Sequence, residues 1–214
     1  MGCSGGGDVS FKPYIPPGGG AIGISGCQGG TCISPFVYTN GTGGGIGFSH
    51  SFCFSANTKM IVLENNEECK KNVAEIKKGD LVLTFDGNEK IFSKVIETKL
   101  NEGIFEFYDI QLKDGKNISV TGNHTMIVFD NNTIKFKYAC ELKVGDLLRT
   151  NDGLHEILKI SNEMKYNSYK ISTEKGTVLA NDVLVSTIYL EGNRNTKTCA
   201  RLIDSVKIPI EIKN

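Results

Sequence analysis

Residues 75–87 read EIKKGDLVLTFDG and residues 141–153 read ELKVGDLLRTNDG, and this near-repetition is the most informative feature of the chain. Eight of the thirteen positions are identical, and the offset between the copies is 66 residues. Two copies are too few for a solenoid, which needs three or more repeats. The repeat therefore predicts a duplicated β unit that folds into one domain with an approximate two-fold axis. Two β-turns that converged on similar sequences are the alternative.

The sequence around the two copies has the pattern of β-strands. Residues 105–112 (FEFYDIQL) and 133–138 (TIKFKY) alternate apolar and polar side chains with the period of a strand. Only residues 72–77 and 138–143 allow a helical turn or two. Asp-Gly pairs, which suit tight hairpins, separate the apolar runs at 86–87, 114–115 and 152–153. The sequence therefore predicts an all-β domain of many short strands.

The composition of the chain changes at residue 53. Residues 1–52 contain 16 of the 25 glycines and only two charged residues. Such a segment lacks the aliphatic side chains needed to offset chain entropy, so it is predicted to be a flexible, Gly-rich leader. Residues 53–190 are long enough for one domain with a core, and residues 191–214 are predicted to be a C-terminal extension with strand character.

Charge and cysteine spacing argue against several classes of function. The formal net charge is +0, and no basic cluster points to nucleic acid or to an anionic membrane. The chain contains no signal peptide and no apolar segment of membrane-spanning length, which by default predicts the cytoplasm. The seven cysteines follow no regular spacing, and Cys27 and Cys32 lack a second pair of ligands nearby. The sequence predicts mostly free thiols, no metal and no cofactor.

Two residues are candidates for chemistry. Cys53 stands between two phenylalanines at the first residue of the predicted domain, where a buried structural cysteine is the alternative. His124 lies in ISVTGNHTMIVF, and a histidine between strands is more often structural than catalytic. A cysteine nucleophile with a histidine partner is nevertheless a standard arrangement for acyl transfer. The carbonyl within easiest reach of Cys53 is that of the Phe52–Cys53 bond, because that attack is intramolecular.

Three segments carry a resemblance to a known family. CFSANTKM from Cys53, VTGNHTMIV around His124, and GTVLANDVLVSTIY at 176–189 resemble the signature blocks of the Hint family. That family comprises the autoprocessing domains of inteins, of bacterial intein-like proteins and of the C-terminal part of Hedgehog. The resemblance runs from Cys53 to about Tyr189. It implies a flattened all-β horseshoe with a pseudo-two-fold axis, in agreement with the internal repeat.

The resemblance also implies roles for individual residues. Cys53 would convert the Phe52–Cys53 amide into a thioester by an N-to-S acyl shift. His124 would protonate the departing amide nitrogen, and Thr121 would hold the amide or its oxyanion by hydrogen bonding. The substrate would be the chain's own N-terminal segment, released to water or to another small nucleophile.

Departures from the family pattern narrow the expected reaction. Inteins end in an asparagine that cyclises, whereas this chain has Val185-Ser186-Thr187 at that place, so full splicing is not expected. Hedgehog domains carry an aspartate that activates sterol, and an ungapped comparison places Leu100 there. Glu97 is then the candidate for an activating acid, with Asn101 the other polar neighbour, and transfer to sterol is not expected. A catalytically inactive Hint-like β domain that serves as a binding module is the alternative function.

Overall fold

The computed structural model describes residues 21–23, 26–28, 31–38, 44–49, 53–130 and 133–188. Within the predicted leader, four strands form a sheet of their own: β1 (Ala21–Gly23), β2 (Gly26–Gln28), β3 (Thr31–Tyr38) and β4 (Gly44–Ser49). The sequence analysis did not predict these four strands. The longest of the four, TCISPFVY, contains β-branched and aromatic residues that favour strands, and each strand gains backbone hydrogen bonds from its neighbour.

The other eleven strands belong to a second sheet, and the all-β class is confirmed. They are β5 (Lys59–Glu64), β6 (Glu67–Asn72), β7 (Leu81–Asp86), β8 (Glu89–Leu112), β9 (Asn117–Thr121), β10 (Thr125–Asp130), β11 (Thr133–Tyr138), β12 (Leu147–Thr150), β13 (Gly153–Thr173), β14 (Thr177–Ala180) and β15 (Val183–Ser186). Two 3₁₀ turns, Val73–Glu75 and Ala139–Glu141, are the helical elements of the described residues. None of the helical structure found in those residues is long and apolar enough to cross a membrane.

The second sheet curls back on itself. Its order is β11-β10-β12-β13-β8-β7-β5-β14-β15, with β6 on β5 and β9 on β8. Because β15 also pairs with β10 and β12, the end of the sheet returns to its beginning. Two strands are long rather than short, since β8 has 24 residues and β13 has 21, and the two pair along most of their length. The register of this pairing shifts at three places, after Ile157, Tyr166 and Ser172.

The predicted duplication is present in the order and spacing of the elements. The sequence β5, β6, 3₁₀ turn, β7 is followed by the sequence β10, β11, 3₁₀ turn, β12. Each element of the second series begins 66 residues after its counterpart, at 59 and 125, 67 and 133, 73 and 139, and 81 and 147. The repeat of residues 75–87 at 141–153 is thus part of a longer structural repeat, and the alternative of two convergent turns fails.

The identical residues of the repeat form the same hydrogen bonds in both copies. The Glu75 carboxylate accepts a hydrogen bond from the backbone N–H three residues earlier at 2.8 Å, and Glu141 does the same at 2.8 Å. The Asp80 and Asp146 carboxylates accept from the N–H three residues before them at 3.0 and 2.9 Å. These contacts satisfy backbone donors at the start of each 3₁₀ turn and of the turn that follows. The sequence repeats because the two turns need the same side chains.

The apolar residues form two buried clusters in the second sheet. The larger cluster includes Phe54, Val120, Met126 and Val185 and joins both halves of the repeat. The smaller cluster lies around Ile127. Phe54 and Val120 lie next to the candidate residues of the site, so the site is built into the core rather than onto a loop.

Candidate active site

The first residues of the domain lie between two strands. The Phe54 N–H donates to the Tyr169 carbonyl of β13 at 2.8 Å, and the Tyr169 N–H donates back to the Phe54 carbonyl at 2.9 Å. On the other side, the Ser55 N–H donates to the Ser119 carbonyl of β9 at 3.2 Å. The backbone that follows Cys53 is therefore held like a short strand between β9 and β13, and the Cys53 side chain is fully buried.

Thr121 contacts Cys53 through both its backbone and its side chain. The Cys53 N–H donates to Thr121 Oγ1 at 3.0 Å, and the Thr121 N–H donates to the Cys53 carbonyl at 3.0 Å. The nitrogen of Cys53 belongs to the Phe52–Cys53 peptide bond, although Phe52 itself lies outside the described residues. The Thr121 hydroxyl therefore binds the amide nitrogen of the bond predicted to break.

The turn between β9 and β10 fixes the backbone of His124. The His124 N–H donates to the Thr121 carbonyl at 2.9 Å, and its own carbonyl accepts from the Ala139 N–H at 2.9 Å. The imidazole is fully buried and meets the Phe54 ring edge-on, with 4.7 Å between centroids and an interplanar angle of 65°. His124 thus lies beside the segment that carries Cys53.

Burial is the main influence on the charge of His124. It lowers the pKa of the imidazole from 6.5 to about 4, because the charged form is costly away from water. Hydrogen bonding to the backbone of Ser186 and of Cys53 acts in the opposite direction and is smaller. The imidazole is therefore neutral at pH 7, and one of its contacts is with Cys53 itself. The structure brings Cys53, Thr121 and His124 together.

The structural repeat places a threonine at the position that corresponds to His124. The residue 66 positions earlier is Thr58. Its carbonyl accepts a hydrogen bond at 2.7 Å from the N–H of Val73, the first residue of the 3₁₀ turn Val73–Glu75. This bond matches the one between the Ala139 N–H and His124. The same backbone turn is therefore made with a threonine in one half and with a buried histidine in the other.

Glu97 does not reach this site. Its carboxylate pairs with Lys170 Nζ at 2.9 Å, which is the main reason that its pKa is lowered, and the Ser172 hydroxyl lies 3.4 Å away. The polar residue beside the Cys53 sulfur is Asn101, whose Nδ2 donates to Sγ at 3.3 Å. Four residues of strand place Glu97 roughly 13 Å further along β8. The expectation that Glu97 is an activating acid is therefore corrected, and Asn101, the other polar neighbour named from the sequence, lies at the sulfur instead.

The end of β15 closes the site from the other side. Ser186 and Thr187 are buried, and the backbone of Ser186 contacts the His124 imidazole. The Thr187 hydroxyl accepts a hydrogen bond from the Thr173 N–H at 3.2 Å. Ser186 and Thr187 are the residues that the sequence resemblance aligns with the terminal asparagine of inteins.

One group of possible metal ligands lies elsewhere in the described residues. Asp114, Asp152 and His155 bring ligand atoms within 4.8 Å of one another. The Lys116 ammonium donates to both carboxylates, at 2.7 Å to Asp114 and 2.9 Å to Asp152, and so supplies the positive charge between them. Within the described part of the chain, Cys53, Cys69 and Cys140 are outside disulfide bonds.

Comparison with known proteins agrees with the all-β fold. Residues 45–194 match the Hint module family. Warthog protein 6 of Caenorhabditis elegans is 31% identical over 144 residues, which cover 63% of this chain and 24% of that protein. The ATP-dependent DNA helicase Hel308 of Methanocaldococcus jannaschii is 31% identical over 104 residues, which cover 48% of this chain and 8% of that protein. The chain thus spans a quarter or less of these relatives.

Solved structures share the architecture at low sequence identity. An intein from a hyperthermophile has a TM-score of 0.58 and 14% identity, and the match covers 64% of this chain and 99% of the intein. The gp41-1 intein has a TM-score of 0.53 and 23% identity, covering 64% of this chain and 98% of the intein. The bacterial intein-like domain from Clostridium thermocellum has a TM-score of 0.51 and 23% identity, covering 64% and 99%. These likenesses concern the fold.

Proposed function

The chain belongs to the Hint family of autoprocessing domains, and on that premise we propose that it cleaves itself at the Phe52–Cys53 bond by an N-to-S acyl shift. The Cys53 sulfur attacks the Phe52 carbonyl carbon, and the bond from that carbon to the Cys53 nitrogen breaks. The nitrogen leaves as an amine and takes up the proton that the thiol gave up, so the step needs no external acid. The product is a thioester between Phe52 and Cys53.

The hydrogen bond from the Cys53 N–H to Thr121 Oγ1, at 3.0 Å, is the observation that carries this proposal. Any buried backbone N–H needs an acceptor, and here the acceptor is a side-chain hydroxyl on the nitrogen of the bond that would break. The same hydrogen bond holds the leaving nitrogen in one orientation while its bond to carbon lengthens. Restricting the reacting groups in this way accounts for much of the rate of an intramolecular reaction.

His124 moves the proton in this mechanism. Its pKa of about 4 keeps the imidazole neutral at rest, so it can accept the thiol proton as the sulfur attacks. The imidazolium that forms is then a strong acid in a buried environment. It donates the proton to the amide nitrogen, which is otherwise a poor leaving group. Contact between the imidazole and the backbone of Cys53 supports this role.

The thioester is resolved by water or by a small nucleophile. Residues 1–52 then leave as an acid or as the acylated nucleophile, and residues 53–214 remain as the processed domain. Ser186 and Thr187 provide no asparagine for cyclisation, so no cut is expected after Thr187. The proposal is therefore cleavage or transfer of the N-terminal segment rather than splicing.

Mass spectrometry of the freshly purified chain tests the proposal. The unmodified chain should yield fragments 1–52 and 53–214, and dithiothreitol or hydroxylamine should accelerate their appearance by attacking the thioester. Cys53→Ala should remain whole, because nothing else supplies the thioester. His124→Ala should cleave far more slowly, and Thr121→Ala should be slowed by about 10- to 1000-fold, as for loss of one orienting donor or acceptor.

Cys69→Ala is the matched control for Cys53→Ala, because Cys69 is a thiol in the same half of the domain that donates to Glu64 away from the site. Its cleavage should equal that of the unmodified chain. An unmodified chain that stays whole with both reagents at neutral pH would contradict the proposal. That result would favour the alternative of an inactive Hint-like binding module.

A further inference from the structure

The Cys53 sulfur has a polar neighbour that the proposed mechanism does not use. Asn101 Nδ2 donates to Cys53 Sγ at 3.3 Å and to the Ser168 hydroxyl at 3.4 Å. Ser168 is fully buried, and it pairs with Asn101 across the β8–β13 ladder. An amide nitrogen carries two N–H groups, so this arrangement directs one to the sulfur and the other to the hydroxyl.

The backbone is distorted where Asn101 and Ser168 meet. The register of β8 and β13 shifts between Tyr166 and Ser168, which makes a β-bulge. Asn167, within the bulge, has φ of 60°, and its side-chain oxygen accepts from the Gly103 N–H at 3.3 Å. Bulges redirect side chains and are enriched beside active sites, and a left-handed non-glycine residue persists only where its surroundings hold it. The two long strands are thus bent at the position that aims Asn101 at the sulfur.

We infer that Asn101 stabilises the thiolate of Cys53 during the acyl shift, and that Ser168 is a positioning residue that holds the Asn101 amide. The inference rests on the proposed function, because it concerns the same sulfur. The thiolate is the nucleophile, and an N–H donor favours the charged form of the group that it contacts. Burial has the opposite effect on a thiol, so a donor at the sulfur offsets part of the cost of ionisation.

Other charged groups near the sulfur act from a greater distance or are already paired. His124 contacts the backbone of Cys53 from the β9–β10 turn. Lys99 and Glu97 share the face of β8 that carries Asn101, and Glu97 is paired with Lys170 of β13. Residue 101 is therefore the position on β8 at which a new charge would lie nearest to the Cys53 sulfur.

Asn101→Asp tests the inference with a nearly isosteric change. It replaces the N–H donor by a carboxylate, which disfavours the thiolate. The rate of cleavage at pH 7 with excess dithiothreitol should fall by about 10- to 100-fold, as expected for loss of a hydrogen bond to a charged group, and should recover as the pH rises. Ser168→Ala should have a smaller effect of a few-fold. Asn162→Asp is the matched control, because Asn162 lies exposed on β13 and donates to Glu106 at 2.8 Å.

A titration that does not depend on turnover decides the inference. In the His124→Gln chain, the Cβ signal of ¹³C-labelled Cys53 reports the thiol pKa, and Cys53→Ala identifies that signal. Asn101→Asp should raise this pKa by about one unit or more, and Asn162→Asp should leave it unchanged. Equal titration midpoints in the parent and Asn101→Asp chains would overturn the inference, as would a parent thiol that stays protonated to about pH 10. Failure of the unmodified chain to cleave would instead count against the proposed function.

Discussion

The buried imidazole of His124 makes the stability of the domain depend on pH. Its pKa in the folded chain is about 4, against 6.5 for an exposed histidine. The unfolded chain therefore binds a proton as the pH falls through about 6.5, whereas the folded chain does so only near 4. Stability is lost over that interval and is retained above it. Between pH 7.5 and pH 5.0, this one residue should lower the free energy of unfolding by about 2 kcal/mol.

Urea unfolding of two uncleavable chains isolates this contribution. Cys53→Ala is compared with Cys53→Ala/His124→Gln at pH 7.5 and at pH 5.0. The hydrogen bonds that glutamine fails to reproduce are lost at both pH values, so they cancel in the difference. Carboxylates titrate equally in the two chains. The single variant should lose about 2 kcal/mol more than the double variant on acidification.

Equal losses in the two chains, within about 0.5 kcal/mol, would refute the reasoning, because they would show that His124 does not take up a proton on unfolding. An NMR titration of the His124 ring provides a second check. Its carbon-bound proton signals should stay constant between pH 8 and pH 5. A midpoint near the value for an exposed histidine would show that the imidazole is accessible to water.

Three further changes test the fold and the boundaries of the site. Glu75→Ala and Glu141→Ala should each lower stability by about 1 kcal/mol in urea unfolding, because each removes an acceptor for a backbone N–H at a 3₁₀ turn, and a large difference between them would argue against equivalent turns. Asp182→Gly should raise stability by up to about 1 kcal/mol, because Asp182 has φ of 64° and its 3.5 Å ion pair with Lys70 is solvent-exposed. Glu97→Gln should leave the cleavage rate unchanged, and a loss of more than about tenfold would return Glu97 to the site.

The sequence predicted those features that depend on short, local patterns. The two turns of the repeat use the same glutamate and aspartate contacts, so their sequences match and reveal the duplication. Thr121 and His124 lie three residues apart in one turn, and their order after Cys53 identified them together. Each of these signals consists of stretches of thirteen residues or fewer.

Features that depend on long-range register were not predictable in the same way. Asn101 reaches the sulfur because a bulge on the β8–β13 ladder shifts the register, and an ungapped comparison placed Leu100 there instead. Leu100 is exposed, as expected for a neighbour on the opposite face of the strand. The strands of residues 21–49 were missed for another reason. Their glycine content lowers strand propensity, while pairing between neighbouring segments favours strands and is not visible in composition.

Burial of Cys53 does not decide between a structural and a reactive cysteine. A protease that acts on other chains needs a cleft that admits its substrate, so a buried nucleophile would argue against that activity. A domain that cuts its own chain once has its substrate covalently attached, and burial then excludes water and strengthens each polar contact. The contacts of Cys53 distinguish a reactive cysteine from a structural one. Apolar packing is enough for a structural thiol, whereas the Cys53 sulfur also receives an amide donor, and a side-chain hydroxyl accepts from the nitrogen of the same residue. Both atoms that carry these contacts change their bonding in the acyl shift.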